Sequence, residues 1–282
     1  MSIRSNGSYI GPRPAGPSLS AASGIWDLRT AERQQRAAAW PMVQVPMPTI
    51  SGLLLHLDAS DAETLYDATT GGSLVAADGG VARWEDKSGN NRHATQSSSG
   101  LRPLRKAATI TGKGVLRFDG SDDLMSLPTN FRWWPTGTFF AVLSRSNDAS
   151  QPWYAAKQSS DNPELRLFPQ THSGRWYYSG GYKLVDAAGH YTAIPSEGSA
   201  TIRTVVLNDI SYKSYSDGAL QNSTTLSSSV SSNDPGSNHS IGGYVTGKVG
   251  IDIGELIMYD SALSDSNRAA VEAYLASKWG VS

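Results

Sequence analysis

Apolar and polar positions along most of this chain follow the two-residue period of a β-strand, and the strand-sized runs are separated by turn chemistry. Leu53, Leu55 and Leu57 alternate with Leu54, His56 and Asp58 and predict a first strand. Val81 to Glu85 predicts a second, ended by Asp86-Lys87-Ser88-Gly89-Asn90, where glycine and asparagine accept left-handed backbone angles. Val115 to Asp119 sets Leu116 and Phe118 against Arg117 and Asp119, and Thr138 to Ser144 reads as a strand buried on both faces. Further strands are predicted at Trp153 to Lys157, Glu164 to Phe168, Arg175 to Tyr178 and Thr201 to Leu207. Tyr212 to Ser216 and Ala219 to Asn222 flank Asp217-Gly218, a dipeptide that supplies the two positive φ angles of a type I′ hairpin turn. Val249 to Tyr259 is a long final strand. The period then changes to 3.6: Val271, Tyr274, Leu275 and Trp279 share one face of a helix with Ser264 as N-cap and Gly280 as stop. Closely spaced short strands with one packed terminal helix predict a mostly β protein, a two-sheet antiparallel sandwich.

Residues 1–48 follow a different rule. Gly11-Pro12-Arg13-Pro14-Ala15-Gly16-Pro17-Ser18 has fixed φ angles, few amide donors and almost no apolar side chains, so it should run extended. A short helix is expected over Leu28 to Ala39, capped by Asp27 and closed at Trp40-Pro41. Its Ala31, Ala38 and Ala39 bury little area, so the helix must dock on something. Pro12, Pro14, Trp26 and Trp40 are the expected anchoring residues of an arm held by a partner or by another copy. The expected organisation is therefore an arm, 1–48, and a sandwich domain, 49–282. The polar stretch Ser223 to Ser232 is expected to form a loop or an edge.

Composition narrows the chemistry. Lys and Arg number 24 against 25 Asp and Glu, a net charge of −1, so no basic field exists to hold a nucleic-acid backbone. Cysteine is absent, which removes disulfides and thiolate chemistry. The five histidines do not pair at metal-ligand spacing, so a zinc or iron site is not expected. No apolar run is long enough to span a bilayer, and Met1 to Ile10 lacks the apolar core of a signal peptide, so export by that route and membrane insertion are not expected. No strand carries the E-x-D-x-E pattern that places two carboxylates across a glycosidic bond. Glu164-Leu165-Arg166, His172 and Tyr177 to Tyr182 echo a polysaccharide-lyase constellation, but compressed into one short segment. No catalytic residue is assigned and an enzyme is not expected.

Two kinds of binding site remain. Of the aromatics, 8 are Trp and 12 Tyr, side chains with a polar edge suited to sugar stacking. Trp133, Trp134, Trp153, Trp176, Tyr178 and Tyr182 lie in or beside predicted loops and are the glycan candidates; sealing the sandwich or a subunit contact is the equal alternative. Asp86, Asp119, Asp122 and Asp123 carry oxygen ligands of the kind calcium takes, although acidic turn residues also serve turns alone.

The stretches Asp86 to Ala94, Leu116 to Leu124, Tyr215-Ser216-Asp217-Gly218 and Ile253 to Ser264 occur in an order that resembles the concanavalin A-like, laminin-G-like jelly-roll superfamily, and Val271 to Gly280 resembles the closing helix of its bacterial and phage members. The likeness covers about Ile50 to Ser282. It implies a jelly-roll sandwich that needs no cofactor, with calcium possible at its rim. Tyr9 to Pro14, Ser23 to Leu28 and Trp40-Pro41 resemble the arms of tailed-bacteriophage virion proteins. Together the two resemblances imply a structural virion component, a capsid decoration, head fibre or tail appendage. The arm would dock on other virion proteins and the lectin-like domain would serve host glycan adhesion. By analogy with such appendages the expected assembly is a homo-oligomer, a trimer. The alternatives are a glycan-active enzyme and a free carbohydrate-binding module.

Overall fold

A computed structural model describes residues 45–128, 136–146, 154–157, 164–167, 175–178, 181–184, 198–209, 211–225, 238–244 and 247–281. The chain divides into two compact units, Met1–Val45 and Pro46–Ser282. The expected helix at 28–39 and the anchoring residues Pro12, Pro14, Trp26 and Trp40 lie outside the described residues, and so do Trp133, Trp134 and Trp153.

The second unit is an antiparallel sandwich with one helix. In chain order its strands are β1 (Leu53–Asp58), β2 (Leu65–Tyr66), β3 (Arg83–Trp84), β4 (Ala94–Thr95), β5 (Leu104–Ile110), β6 (Lys113–Asp119), β7 (Met125–Leu127), β8 (Thr136–Ser146), β9 (Tyr154–Lys157), β10 (Glu164–Leu167), β11 (Arg175–Tyr178), β12 (Gly181–Leu184), β13 (Thr201–Asn208), β14 (Ser211–Ser216), β15 (Ala219–Thr225), β16 (Asn238–Ile241), β17 (Gly243–Tyr244), β18 (Gly247–Lys248) and β19 (Gly250–Tyr259), followed by helix α1 (Asp265–Trp279). Sheet A runs β15-β14-β13-β8-β19-β6-β5, with β1 also paired to β19; sheet B runs β12-β11-β10-β9-β16-β7-β4-β3-β2.

Two cores explain the burial. Leu55, Leu57, Trp84, Phe118, Phe139, Tyr154, Leu167, Ile253 and Leu256 belong to one cluster, which joins residues of both sheets. Phe140, Val142, Ile202, Ile257, Tyr259, Val271, Leu275 and Trp279 form the other, between sheet A and α1. Successive residues of β8 therefore enter different cores, Phe139 one and Phe140 the other, because side chains alternate along a strand. That is why β8 and β19 read as mostly apolar runs instead of an apolar and polar alternation.

The local signals act as their chemistry requires. Asp217 and Gly218 have φ angles of 50° and 79°, the two positive values of a type I′ turn between β14 and β15. Ser264 accepts a hydrogen bond from the Asn267 amide, and Gly280 ends α1 in the left-handed conformation. Strand β3 is shorter than the predicted run, since the amides of Val81 and Ala82 bond to Pro103 and Tyr66 in irregular backbone. Strand β15 reaches Thr225, so the polar stretch begins inside a strand. Among the described residues no helix is long and apolar enough to cross a membrane.

Candidate functional site

The end of sheet B formed by β9 to β12 carries the tyrosine-rich segment. Tyr154 and Leu167 are fully buried and pair across β9 and β10, so they mark the core face there. In the same ladder Trp176 pairs with Leu165 and Lys183, and Tyr178 pairs with Gly181. The ladder sets two adjacent rows of paired positions: Lys157, Glu164, Tyr177 and Tyr182 in one, Ala155, Arg166, Arg175 and Leu184 in the other. The six glycan candidates are thus divided. Tyr182 lies in register with Tyr177 on neighbouring strands, Trp176 and Tyr178 lie on β11 with their side chains outside the description, and Trp133, Trp134 and Trp153 lie outside the described residues. The pairing of Arg166 with Arg175 was not foreseen, because a register is a property of the ladder and not of either strand.

The loop after β6 gathers three acids. Asp119, Asp122 and Asp123 each offer a carboxylate oxygen within 4.8 Å of the others. Asp119 Oδ1 accepts from the amides of Ser121, at 2.7 Å, and Asp122, at 3.3 Å, while Asp123 Oδ2 accepts from the Asp119 amide at 2.8 Å. These bonds end the strand in an Asx-type turn, with Gly120 at φ 85°. Burial, with the neighbouring charges of Asp119 and Asp122, pushes Asp123 up to about 6 against the amide bond it accepts. Three carboxylates match part of calcium's set of roughly six to eight oxygens, and carbonyls or water would have to supply the rest. Asp86 does not join them. Its Oδ1 accepts from the amides of His56 and Ser88 and its Oδ2 from the Arg92 amide and the Ser88 hydroxyl, so it organises the turn after β3.

Because Asp123 titrates higher in the fold than its ordinary 3.8, its contribution to stability is full below pH 3.8 and is lost as pH rises toward about 6. Asp123→Asn keeps an acceptor for the Asp119 amide and removes the charge. It should raise the unfolding free energy at pH 7 by roughly 1 kcal/mol and change it little at pH 3.5, measured by urea unfolding at both pH values.

A third polar cluster lies between sheet A and α1. Glu255 is fully buried and accepts four hydrogen bonds of 2.7 Å, from His56 Nε2 and Tyr274 OH at Oε1 and from Lys278 Nζ and Trp279 Nε1 at Oε2. Lys278 Nζ also stands 2.7 Å from Asp58 Oδ2, which Lys87 approaches at 3.2 Å. His56, Asp58 and Glu255 are residue types that hold metals. Here the Lys278 ammonium already supplies the positive charge between two of the carboxylates, and the cluster joins the helix to β1 and β19.

A cleft of about 310 Å³ opens beside α1, lined by Ile202, Gly218, Ala269, Ala273, Ala276 and Val281 with Asp217, Arg268 and Glu272. Its carboxylates are engaged within the fold: Asp217 accepts from the Ile202 amide and Glu272 from the Thr204 hydroxyl.

No protein-family model matches this chain, and no curated protein matches it. Solved structures do. Trypanosoma rangeli sialidase is 15% identical with a TM-score of 0.52, over 86% of this chain and 35% of the sialidase. Domain 4 of AbnA, a GH43 extracellular arabinanase from Geobacillus stearothermophilus solved with arabinotriose, is 14% identical with a TM-score of 0.53, over 79% of this chain and 98% of that domain. The chain spans about a third of the sialidase and nearly all of the arabinanase domain. At these identities the likeness establishes the fold, a β-sandwich shared with domains of carbohydrate-active proteins.

Proposed function

We propose that the sandwich unit is a carbohydrate-binding module, displayed on a tailed-phage virion by the arm that precedes it. The observation that carries the binding reading is the register of β9 to β12. There Tyr177 pairs with Tyr182 on one side and with Glu164 on the other, and Glu164 pairs in turn with Lys157. Aromatic faces stack on the apolar faces of sugar rings, and the surrounding donors and acceptors fix orientation. The AbnA domain, which holds arabinotriose, supports the reading because the same sandwich runs through nearly all of its length. The virion setting rests on the arm's composition and its resemblance to phage arms. Many copies on one particle would give avidity to individually weak sites.

Calorimetry of the full chain with polysaccharide extracted from the host surface tests the module. Saturable binding is expected, with Tyr177→Ala and Tyr182→Ala each weakening it by up to about tenfold, the scale of one aromatic contact. Absence of binding would overturn the reading. Shortening of the polysaccharide chains, lost on His172→Ala, would replace it with a glycan-active enzyme. Mass spectrometry of purified virions tests the setting: a fixed ratio to the major capsid protein supports it, and absence from particles overturns it.

A further inference from the structure

Lys278 near the end of α1, Asp58 at the end of β1 and Glu255 within β19 bring the reactants of an amide bond together inside the fold. Lys278 Nζ stands 2.7 Å from Asp58 Oδ2 and 2.7 Å from Glu255 Oε2. Asp58 and Glu255 are buried and the Lys278 side chain is 12% exposed, so the amine touches both acids away from bulk solvent. Asp58 Oδ1 accepts from the Ser60 amide at 3.1 Å and from the Ser60 hydroxyl at 2.6 Å, two donors on the oxygen that gathers negative charge when an amine adds to Cγ. Other lysine pairs of the fold lack this setting: Lys106 with Asp78 and Lys87 with Asp61 engage carboxylates that are 71% and 34% exposed.

We infer that Lys278 and Asp58 close an intramolecular isopeptide bond, a cross-link the fold makes by itself, with Glu255 as the base. The ion pair is the resting form, in which the Lys278 and Lys87 ammonium groups hold Asp58 ionised against its burial, so closure is slow. In the reaction Lys278 passes one proton to Asp58 Oδ2 along the bond it already makes, and the freed amine adds to Cγ, placing negative charge on Oδ1 beside Ser60. Glu255 Oε2 takes a second proton from the nitrogen and delivers it to Oδ2, and the carboxylates of Glu255 and Asp58 offer oxygens within 4.8 Å of each other. The C–Oδ2 bond breaks and the oxygen leaves as water. Two ammonium protons and one carboxylate oxygen make that water, the amide is neutral, and no other reactant enters. The bond would tie the first strand of the sandwich unit to its closing helix, so a pull on the ends of the unit would pass through the bond and not through the strands between.

The test is intact-mass spectrometry of the full chain, fresh and after prolonged warming at neutral pH. The warmed chain should be lighter than its sequence by one water, and its tryptic digest should hold a branched peptide joining the segment of Asp58 to that of Lys278. Lys278→Arg keeps the ion pair and should keep the full mass. Glu255→Gln should slow the loss of water at least tenfold, the scale of a base in contact. Full mass in the warmed wild-type chain, with no branched peptide, would overturn the inference. Loss of water that persists in Lys278→Arg would overturn it too, since it would then come from a succinimide at an Asp-Gly step such as Asp217-Gly218. An unchanged rate in Glu255→Gln would overturn the part assigned to Glu255.

Discussion

Glu255→Ala should lower the unfolding free energy by about 3–5 kcal/mol, because it strips the acceptor from a buried cluster and leaves its donors without one. His56 Nε2, Tyr274 OH and Trp279 Nε1 would all lose a 2.7 Å bond at once, and Lys278 would keep Asp58 and a longer 3.3 Å bond to Tyr274 OH. For a unit of this size the melting temperature should fall by roughly 10 °C, read by circular dichroism. A change below about 1 kcal/mol would mean that water reaches the cluster and that α1 is held by its apolar face alone. The same cluster sets the acid limit of the fold. Burial works to raise Asp58, but the Lys278 ammonium, Ser60 and Lys87 outweigh it and hold the carboxyl at about 2, against an ordinary 3.8. Burial likewise works to raise Glu255, and the His56 hydrogen bond with the Lys278 charge brings it below its ordinary range. A carboxylate lowered in the fold contributes stability that is full above its unfolded value and is lost as pH falls through the folded one. The wild-type protein should therefore lose stability from about pH 4 toward pH 2, and Asp58→Asn should flatten that part of the profile.

What the sequence displays and what it hides divide by distance along the chain. The Asp217-Gly218 turn, the Ser264 cap and the Asp119 to Asp123 loop depend on residues within a few positions of one another, and each is legible as a motif. Strands β8 and β19 are legible for a different reason: with a core on both sides, most positions are apolar or small, and the buried Asp252 and Glu255 of β19 are held by partners. Strand β5 escaped notice because its register shifts between Lys106 and Ile110, around Ala108 at a φ of 54°, which breaks the two-residue period. The functional groupings are the least legible. Arg166 meets Arg175 only once the ladder is paired, and His56 meets Glu255 across 199 positions. Composition could name tyrosines as sugar platforms; only register pairs Tyr182 with Tyr177.

Gly254→Ala should cost about 3 kcal/mol through space alone. Gly254 is not among the residues with positive φ, so alanine meets no backbone strain there. Its Cβ would instead stand 2.7 Å from Cη2 of Trp279 and 2.9 Å from two further ring carbons. That ring is fully buried and pinned by its Nε1 bond to Glu255, so it cannot yield without breaking the cluster. Trp279→Ala alone should cost about 3–5 kcal/mol as a cavity and a lost hydrogen bond. The double variant should be no less stable than Trp279→Ala, since the added methyl then enters the space the ring has left; the coupling should approach the whole cost of Gly254→Ala. Additive costs in urea unfolding would refute direct contact as the cause. The cycle also separates folding from recognition. Helix α1 covers sheet A, whereas the proposed sugar face belongs to sheet B. Below the melting temperature Gly254→Ala should therefore bind saccharide with wild-type affinity, and a variant that lost affinity while still folded would place the ligand at the helix.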